Sequence, residues 1–409
     1  MAYQSAYVFA RLANGERRLA GTITCEPPLA EFVYSQHWLS EPTAYPLDPV
    51  NLPLVNRTFR TQNPKGTFGV FTDAGPDDWG TRIMLMHHNS SPHNEVERLL
   101  RTSGGGVGLL EFSLSRSYPR APAPLPDIQL LNELAAVAQK VQAHEPLTPE
   151  QLALIEPGSS MGGARPKVVV CDASRQWLVK FSRQQDLVNI PTLEFLTMEL
   201  LREAGCCVPA TMLRELGGGH SAFLIERFDR VTDQPLHFVS ANSLFNTSRL
   251  RMVRDSRKNP YSYINLAAIL RKHSAEPVAD CRELFIRMLC NILLGNTDDH
   301  ARNHAMTYSV LNRQWRLSPL YDVLPTLGGV RGHQAMGVGI EGADATLSNA
   351  RSLSKLFYFN DAQAQAEIDR LLPLIATLPA RAAQAGMASD DVHILKGVLN
   401  LPAEANGAS

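Results

Sequence analysis

The strongest constraint on the fold lies between Val278 and Leu294, where Leu284, Phe285, Met288, Leu289, Ile292 and Leu293 recur at the spacing of one helical face. This buried-helix pattern runs straight into a polar stretch, Gly295-Asn296-Thr297-Asp298-Asp299-His300-Ala301-Arg302-Asn303. At 409 residues the chain exceeds what one hydrophobic core organises, so two or three domains or lobes are expected. Hydrophobic residues at 44% and charged residues at 19% are ordinary globular composition, which excludes disordered and membrane classes. The net charge of -1 supplies no field that would hold a polyanion, so DNA or RNA binding by this chain alone is disfavoured.

The first twelve residues lack a basic region followed by an apolar run, and no uncharged apolar stretch reaches 18 residues, so a cytoplasmic protein with no membrane partner is expected. Six cysteines, Cys25, Cys171, Cys206, Cys207, Cys281 and Cys290, show no C-x-x-C spacing. They read as buried free thiols in a reducing compartment.

Along the chain, Ala6 to Leu12 and Arg17 to Cys25 flank Asn14-Gly15 and predict a hairpin. Thr81 to His88 predicts a helix whose first turn carries Pro76, Asp77 and Asp78. The glycine-rich run Ser103 to Gly108 leads into apolar Leu109 to Phe112; without a following Lys and Ser/Thr it reads as a turn rather than a phosphate cradle. Alternating prolines from Tyr118 to Pro126 stiffen the backbone and mark a domain boundary. Beyond it, Ile128 to Gln142 reads as helix, and Pro166 to Cys171, Gln176 to Phe181, Ala210 to Leu216 and Ser221 to Phe228 as strands. Pro191 to Ala204 reads as a helix capped by Asn189 and stopped at Gly205. After Asp229 the pattern is mainly helical.

Within the polar stretch, Asp298 and Asn303 stand five apart. In a kinase catalytic loop this spacing sets a carboxylate to accept the substrate hydroxyl proton and an amide oxygen to bind magnesium. Alone the spacing is weak, since Asp and Asn also cap helices and build turns. Its context strengthens it: Ser318-Pro319-Leu320-Tyr321-Asp322 follows a strand-like Gln314 to Leu317, making Asp322 the second magnesium ligand. Upstream, Lys180 sits in the strand Trp177-Leu178-Val179-Lys180-Phe181, where an ammonium is costly unless paired. A nucleotide phosphate is one partner; Glu194 on the next helix is a second, with Glu199 in reserve, and an edge-strand lysine facing water is the bland alternative. Ser159-Ser160-Met161-Gly162-Gly163-Ala164-Arg165-Pro166-Lys167 precedes the first strand as a loop covering phosphates would, although a Gly-Gly pair by itself is more often a turn. Lys167 either binds phosphate there or faces solvent. Phe223 to Asp229 closes the sheet where a hinge would meet adenine through Glu226 and Phe228, or is an ordinary amphipathic strand. The order of these features along the chain is that of an ATP- and magnesium-dependent kinase.

A zinc reading competes. His300 and His304 lie four apart, but Asp299 and Ala301 flank His300 where a metalloprotease helix needs a glutamate base. His300 reads better as a brace of the catalytic loop.

These motifs together resemble the HipA family, in the N-terminal part through Gly75 to Arg82 and Gly106 to Phe112. In the kinase core the resemblance runs through Ser159 to Lys167, Lys180, Phe223 to Arg230, Thr297 to Asn303 and Leu320 to Pro325. The resemblance implies an α+β, two-lobed protein-kinase-like fold, with a small mixed N-lobe, a mostly helical C-lobe and an added N-terminal α/β subdomain. The expected division is 1–116 for that subdomain, 117–127 for a linker, 128–230 for the N-lobe, 231–402 for the C-lobe and 403–409 for a tail. It implies a serine/threonine protein kinase that is the toxin of a toxin–antitoxin pair, using ATP and Mg2+ on a translation component such as an aminoacyl-tRNA synthetase. A helix-turn-helix antitoxin would be its partner and DNA would be reached only through that antitoxin. It further implies autophosphorylation at Ser160, with Ser159 in reserve. Asp299 departs from the family, whose members often have glycine there, and reads as an extra negative charge near the metals. Arg249, Arg251, Arg254, Arg257 and Lys258 form a basic segment that either docks a partner or is solvated surface. Two other functions stay open: a non-catalytic co-repressor that binds the antitoxin, and a small-molecule kinase.

Overall fold

A computed structural model describes residues 4–26, 29–61, 67–88, 90–102, 105–117, 123–158, 165–173, 175–183, 185–217, 220–231, 234–246, 255–328 and 331–401. The hairpin at Asn14-Gly15 is present, with Gly15 at φ +80 joining β1 (Ser5–Arg11) to β2 (Arg17–Glu26). With β3 (Leu29–Tyr34), β4 (Thr58–Thr61) and β5 (Leu110–Ser113) they form an antiparallel sheet in the order β4-β3-β2-β1-β5. Val8, Ile23 and Phe32 bury one face of it with Phe71 from the helix Gly69–Ala74.

The second sheet, in the order β6-β7-β9-β8, holds β6 (Lys167–Asp172), β7 (Arg175–Phe181), β8 (Thr211–Glu215) and β9 (Ser221–Glu226). Its alternation decides what the site can be. Trp177, Val179 and Phe181 on β7, with Val168 and Val170 on β6 and Leu224 on β9, point to one face, covered by Leu134 and Ala138 of the helix Leu131–Gln142. The opposite face therefore receives Lys180, its register partners Lys167 and Phe223, and Ile225. Because β7 is an inner strand and Lys180 is buried, the water-facing edge lysine is ruled out.

Beyond Asp229 the chain is mainly helical, as expected, with one small sheet among the helices. A third sheet, β10-β11-β12, is built from β10 (Leu236–Ser240), β11 (Ala305–Ser309) and β12 (Gln314–Leu317). The short polar-and-apolar strands β10 and β11 carry too little periodicity to be told from loops. The apolar pattern around Leu284 does form a helix, Pro277–Leu294, ending at Gly295 in the left-handed region (φ +65). A Cβ there would meet the Val398 carbonyl oxygen at 2.3 Å, so glycine is required on two grounds. The predicted strand to Phe228 stops at Glu226, and Phe228–Arg230 is a single 3-10 turn. Cys207 is exposed and Cys171 half-buried, so the expectation of six buried thiols fails at both. Cys207 lies in the connection between the helix Ile190–Glu203 and β8. Among the described residues no helix is long and apolar enough to cross a membrane.

The N-terminal region is fastened across to the rest at several points. Asn51 donates to the Ser243 carbonyl (3.0 Å), Asp73 accepts from the Ser240 amide and hydroxyl (both 2.8 Å), and His237 Nε2 bonds the Leu47 carbonyl at 2.8 Å. His237 is wholly buried and its Nδ1 has no partner, so burial holds its pKa down at about 4 and keeps it neutral. A folded-state pKa below the ordinary 6.5 means the unfolded chain takes the proton first. The contribution is complete above pH 6.5 and is lost as pH falls toward 4, by roughly 3 kcal/mol. Gln in its place can donate the same bond without titrating, so His237→Gln is expected to flatten the urea-unfolding stability profile across that window.

Candidate active site

Lys180 is the meeting point of both lobes. Its Nζ donates to Glu194 Oε1 at 2.6 Å, on the helix Ile190–Glu203, and to Asp322 Oδ1 at 2.5 Å, on the segment after β12. Burial would lower the ammonium's pKa, but Asp322 and then Glu194 overcome that and raise it above the usual lysine range. Burial opposes ionisation of Asp322 as well, and Lys180, with Lys167 and His300 further off, holds its carboxyl at about 2. Glu194, deeper still, is shifted up by burial despite Lys180. The trio is thus a charged, bonded unit in which Lys180 is protonated. Glu199, the reserve partner, lies outside it and bonds Arg202 and Thr211.

The sequence explains these positions locally. Asn189 caps the helix bearing Glu194 by accepting from the Thr192 amide (3.2 Å), and Pro191 fits its first turn. Asp322 has φ +60, a left-handed conformation that Asp tolerates better than most side chains. The segment that carries it is held by Leu320 N–H on the Cys207 carbonyl (2.7 Å) and by Tyr321 Oη on the Arg302 carbonyl (2.8 Å). The second bond joins the Asp322 segment directly to the Asp298–Asn303 loop. Thr326 adds two more ties, one to Thr297 N–H (3.0 Å) and one to the Gly295 carbonyl (3.3 Å).

Within that loop Asp298 is exposed, as a group that meets a substrate hydroxyl must be. Asn303 is buried and donates Nδ2 to the Asp298 carbonyl at 3.3 Å, which leaves its side-chain oxygen as the end available to a ligand. That oxygen and the Asp322 carboxylate are hard donors of the kind magnesium takes, so the residues fit the ion.

Asp299, expected to add a negative charge near the metals, turns into the core. It is fully buried, and its Oδ2 receives the Tyr263 hydroxyl, Asn291 Nδ2 (2.9 Å) and lies 2.8 Å from His304 Nε2. One aspartate of the pair thus faces solvent and the next the core. His304, rather than His300, therefore braces the loop from inside. Neither histidine is helical, since His304 immediately precedes β11, and this removes the zinc-helix reading.

Lys167 does not face solvent. It is buried at 1% exposure, its Nζ lies 3.2 Å from Asp77 Oδ2, and the residues facing it across β7 are those of the Lys180 site. The hinge candidates lie at and just past the end of β9. Glu226 N–H is taken by the Ala210 carbonyl (2.8 Å), and the Phe228 ring lies 5.9 Å from Tyr321 and 6.3 Å from Phe238. Ser159, Ser160, Gly162 and Gly163, together with Arg249, Arg251 and Arg254, fall outside the described residues.

Two features escaped the sequence reading. Asp77 comes from a region ninety positions away from its partner, with nothing but a helix-start pattern to mark it. The described part of the glycine run, Gly105 to Gly108, is irregular chain that clamps the Arg227–Arg230 segment. Gly105 and Gly106 carbonyls accept from Arg227 (2.9 and 3.0 Å), Gly106 also accepts from Arg230 (2.9 Å), and Gly108 N–H donates to Asp229 (2.9 Å). A Cβ at Gly106 would meet the Ala74 carbonyl oxygen at 2.1 Å.

The fold and site define a protein-kinase-like protein with an added N-terminal α/β region. The chain belongs to the HipA family: residues 159–383, more than half of it, match the HipA-like C-terminal domain, and residues 13–113 match the HipA N-terminal domain. Among curated proteins it is 25% identical over 72% of its length to the Sinorhizobium fredii protein Y4mE, named as a candidate kinase, covering 72% of that protein. It is 32% identical over 32% of its length to a Haemophilus influenzae protein also named as a candidate kinase, and the match spans only 39% of that relative. Among solved structures, HipA of Shewanella oneidensis, determined with HipB and operator DNA as a toxin–antitoxin system, superposes with a TM-score of 0.68 at 17% identity. That match covers 96% of this chain and 94% of that one.

The neighbours Asp298 and Asp299 should separate cleanly by stability. Asp299→Ala strands buried donors and is expected to cost about 3–5 kcal/mol, whereas exposed Asp298→Ala should stay within about 0.5 kcal/mol of wild type in urea unfolding.

Proposed function

We propose that the chain is an ATP- and magnesium-dependent serine/threonine protein kinase that serves as the toxin of a toxin–antitoxin pair. The observation that carries this reading is Lys180 bonded at once to Glu194 and Asp322, with the Asp322 segment tied through Tyr321 to the Asp298–Asn303 loop. In this reading Glu194 holds Lys180 in place, and Lys180 and Lys167 receive nucleotide phosphates together with the loop of Ser160, Gly162 and Gly163. Backbone groups at Glu226 and Phe228 receive adenine. Asn303 and Asp322 would hold Mg2+, which when bound supplies charge neutralisation on the phosphate oxygens. Asp298 orients the substrate hydroxyl and takes its proton, and its exposure suits a protein substrate that arrives from solvent.

The substrate is proposed to be a translation component such as an aminoacyl-tRNA synthetase, and Ser160 the site of autophosphorylation. The partner is proposed to be a helix-turn-helix antitoxin, through which alone the complex reaches DNA. Support for the partner comes from the Shewanella structure, in which HipA is bound with HipB and operator DNA, and from a net charge of -1 that favours DNA contacts made by the antitoxin.

The test incubates the chain with γ-labelled ATP, magnesium and a bacterial lysate. Label is expected on a protein band and should fall at least about a hundredfold in Asp298→Ala. Label confined to a metabolite, or incorporation equal in the two forms, would overturn the reading.

A further inference from the structure

Asp77 stands out as a charge that the mechanism above does not use. Its carboxylate divides its two oxygens: Oδ1 accepts the Gly80 N–H at 2.8 Å and so caps the helix Asp78–His88, while Oδ2 lies 3.2 Å from Lys167 Nζ. Lys167 is nearly inaccessible and is register-paired with Lys180, so two ammonium stems share one face of the sheet. Lys180 has Glu194 and Asp322, both from the kinase core, but the carboxylate at Lys167 comes from the N-terminal region. Burial pulls the Lys167 ammonium down and Lys180 adds to the pull, while Asp77, and Asp322 less strongly, oppose it.

The turn that delivers Asp77 is itself anchored. Arg98 donates to the Pro76 carbonyl and pairs with Glu95, and four residues before Asp77 the Asp73 carboxylate takes the Ser240 amide and hydroxyl at 2.8 Å. Ser240 ends β10 in the C-lobe, whereas Lys167 begins β6 in the N-lobe. A single short segment, Asp73 to Asp77, therefore touches both walls of the cleft.

We propose that Asp77 is a positioning residue for nucleotide: it holds the Lys167 ammonium beside Lys180 and aimed at the phosphates, so the N-terminal region completes the nucleotide site. This rests on the kinase reading above. Asp77 touches neither Asp298 nor Asp322 among the bonds of the described residues, so its loss should act on nucleotide affinity rather than on the chemical step.

The experiment measures binding of magnesium trinitrophenyl-ATP to the full chain, alongside KM for ATP and kcat, in wild type, Asp77→Asn, Asp77→Ser, Asp77→Glu and Asp78→Asn. Asn and Ser keep the helix cap and delete only the charge, so both should fold. Each is expected to weaken nucleotide binding and raise KM about tenfold, with kcat at saturating ATP within about threefold. Asp77→Glu should recover most of the affinity. Asp78→Asn makes the same charge change at an exposed position of the same helix start and should move KM less than about twofold. The proposal is overturned if neither Asp77→Asn nor Asp77→Ser shifts KM, or if Asp78→Asn shifts it equally. Wild type that binds no nucleotide would instead remove the kinase reading itself.

Discussion

One ammonium group organises this molecule. Lys180 is carried into a low-dielectric interior by a strand whose alternate residues are needed for the opposite face, and a lone charge there would be strongly unfavourable. Two carboxylates answer it, one from the helix behind the sheet and one from the far lobe. Satisfying both sets the rotation of the Ile190–Glu203 helix and the reach of the segment bearing Asp322, whose left-handed backbone is the local cost of that reach. A buried ion pair of this kind is poor evidence for added stability, because desolvation offsets most of the attraction. It is better understood as specifying where two separately folded layers must meet.

The N-terminal region deepens that pattern. It reaches β10 through Asp73, the helix Ala241–Phe245 through Asn51, and the lobe junction through Gly105, Gly106 and Gly108. These polar contacts fix the register of an interface that is also apolar, since Tyr45 stacks on Tyr308 and the N-terminal core runs on into that of the C-lobe.

Much of this arrangement was legible in the residues because those that meet at Lys180 lie in short motifs. The Asp298 to Asn303 loop, Asp322 after its strand, and a lysine between Val179 and Phe181 each carry their meaning within a few positions. The helix around Leu284 was legible because its period is long and regular. What stayed hidden depends on distance along the chain. No local pattern pairs Asp77 with Lys167, or turns the glycine run at 105–108 into a clamp for Arg227. Strands β10 and β11 are short and buried on both sides at several positions, so their alternation is faint. The inward turn of Asp299 was hidden for a related reason: its neighbour faces water, and only the packed positions of Tyr263, Asn291 and His304 show it.

The arginine pair at the lobe junction has a mechanical corollary. Arg227 and Arg230 neutralise Asp229 and at the same time grip carbonyls outside their own domain, so the short linker between lobes is splinted along its outer edge. A splinted linker resists twisting about its own axis. The two lobes and the N-terminal region are thereby fastened to one another along a single short stretch of chain.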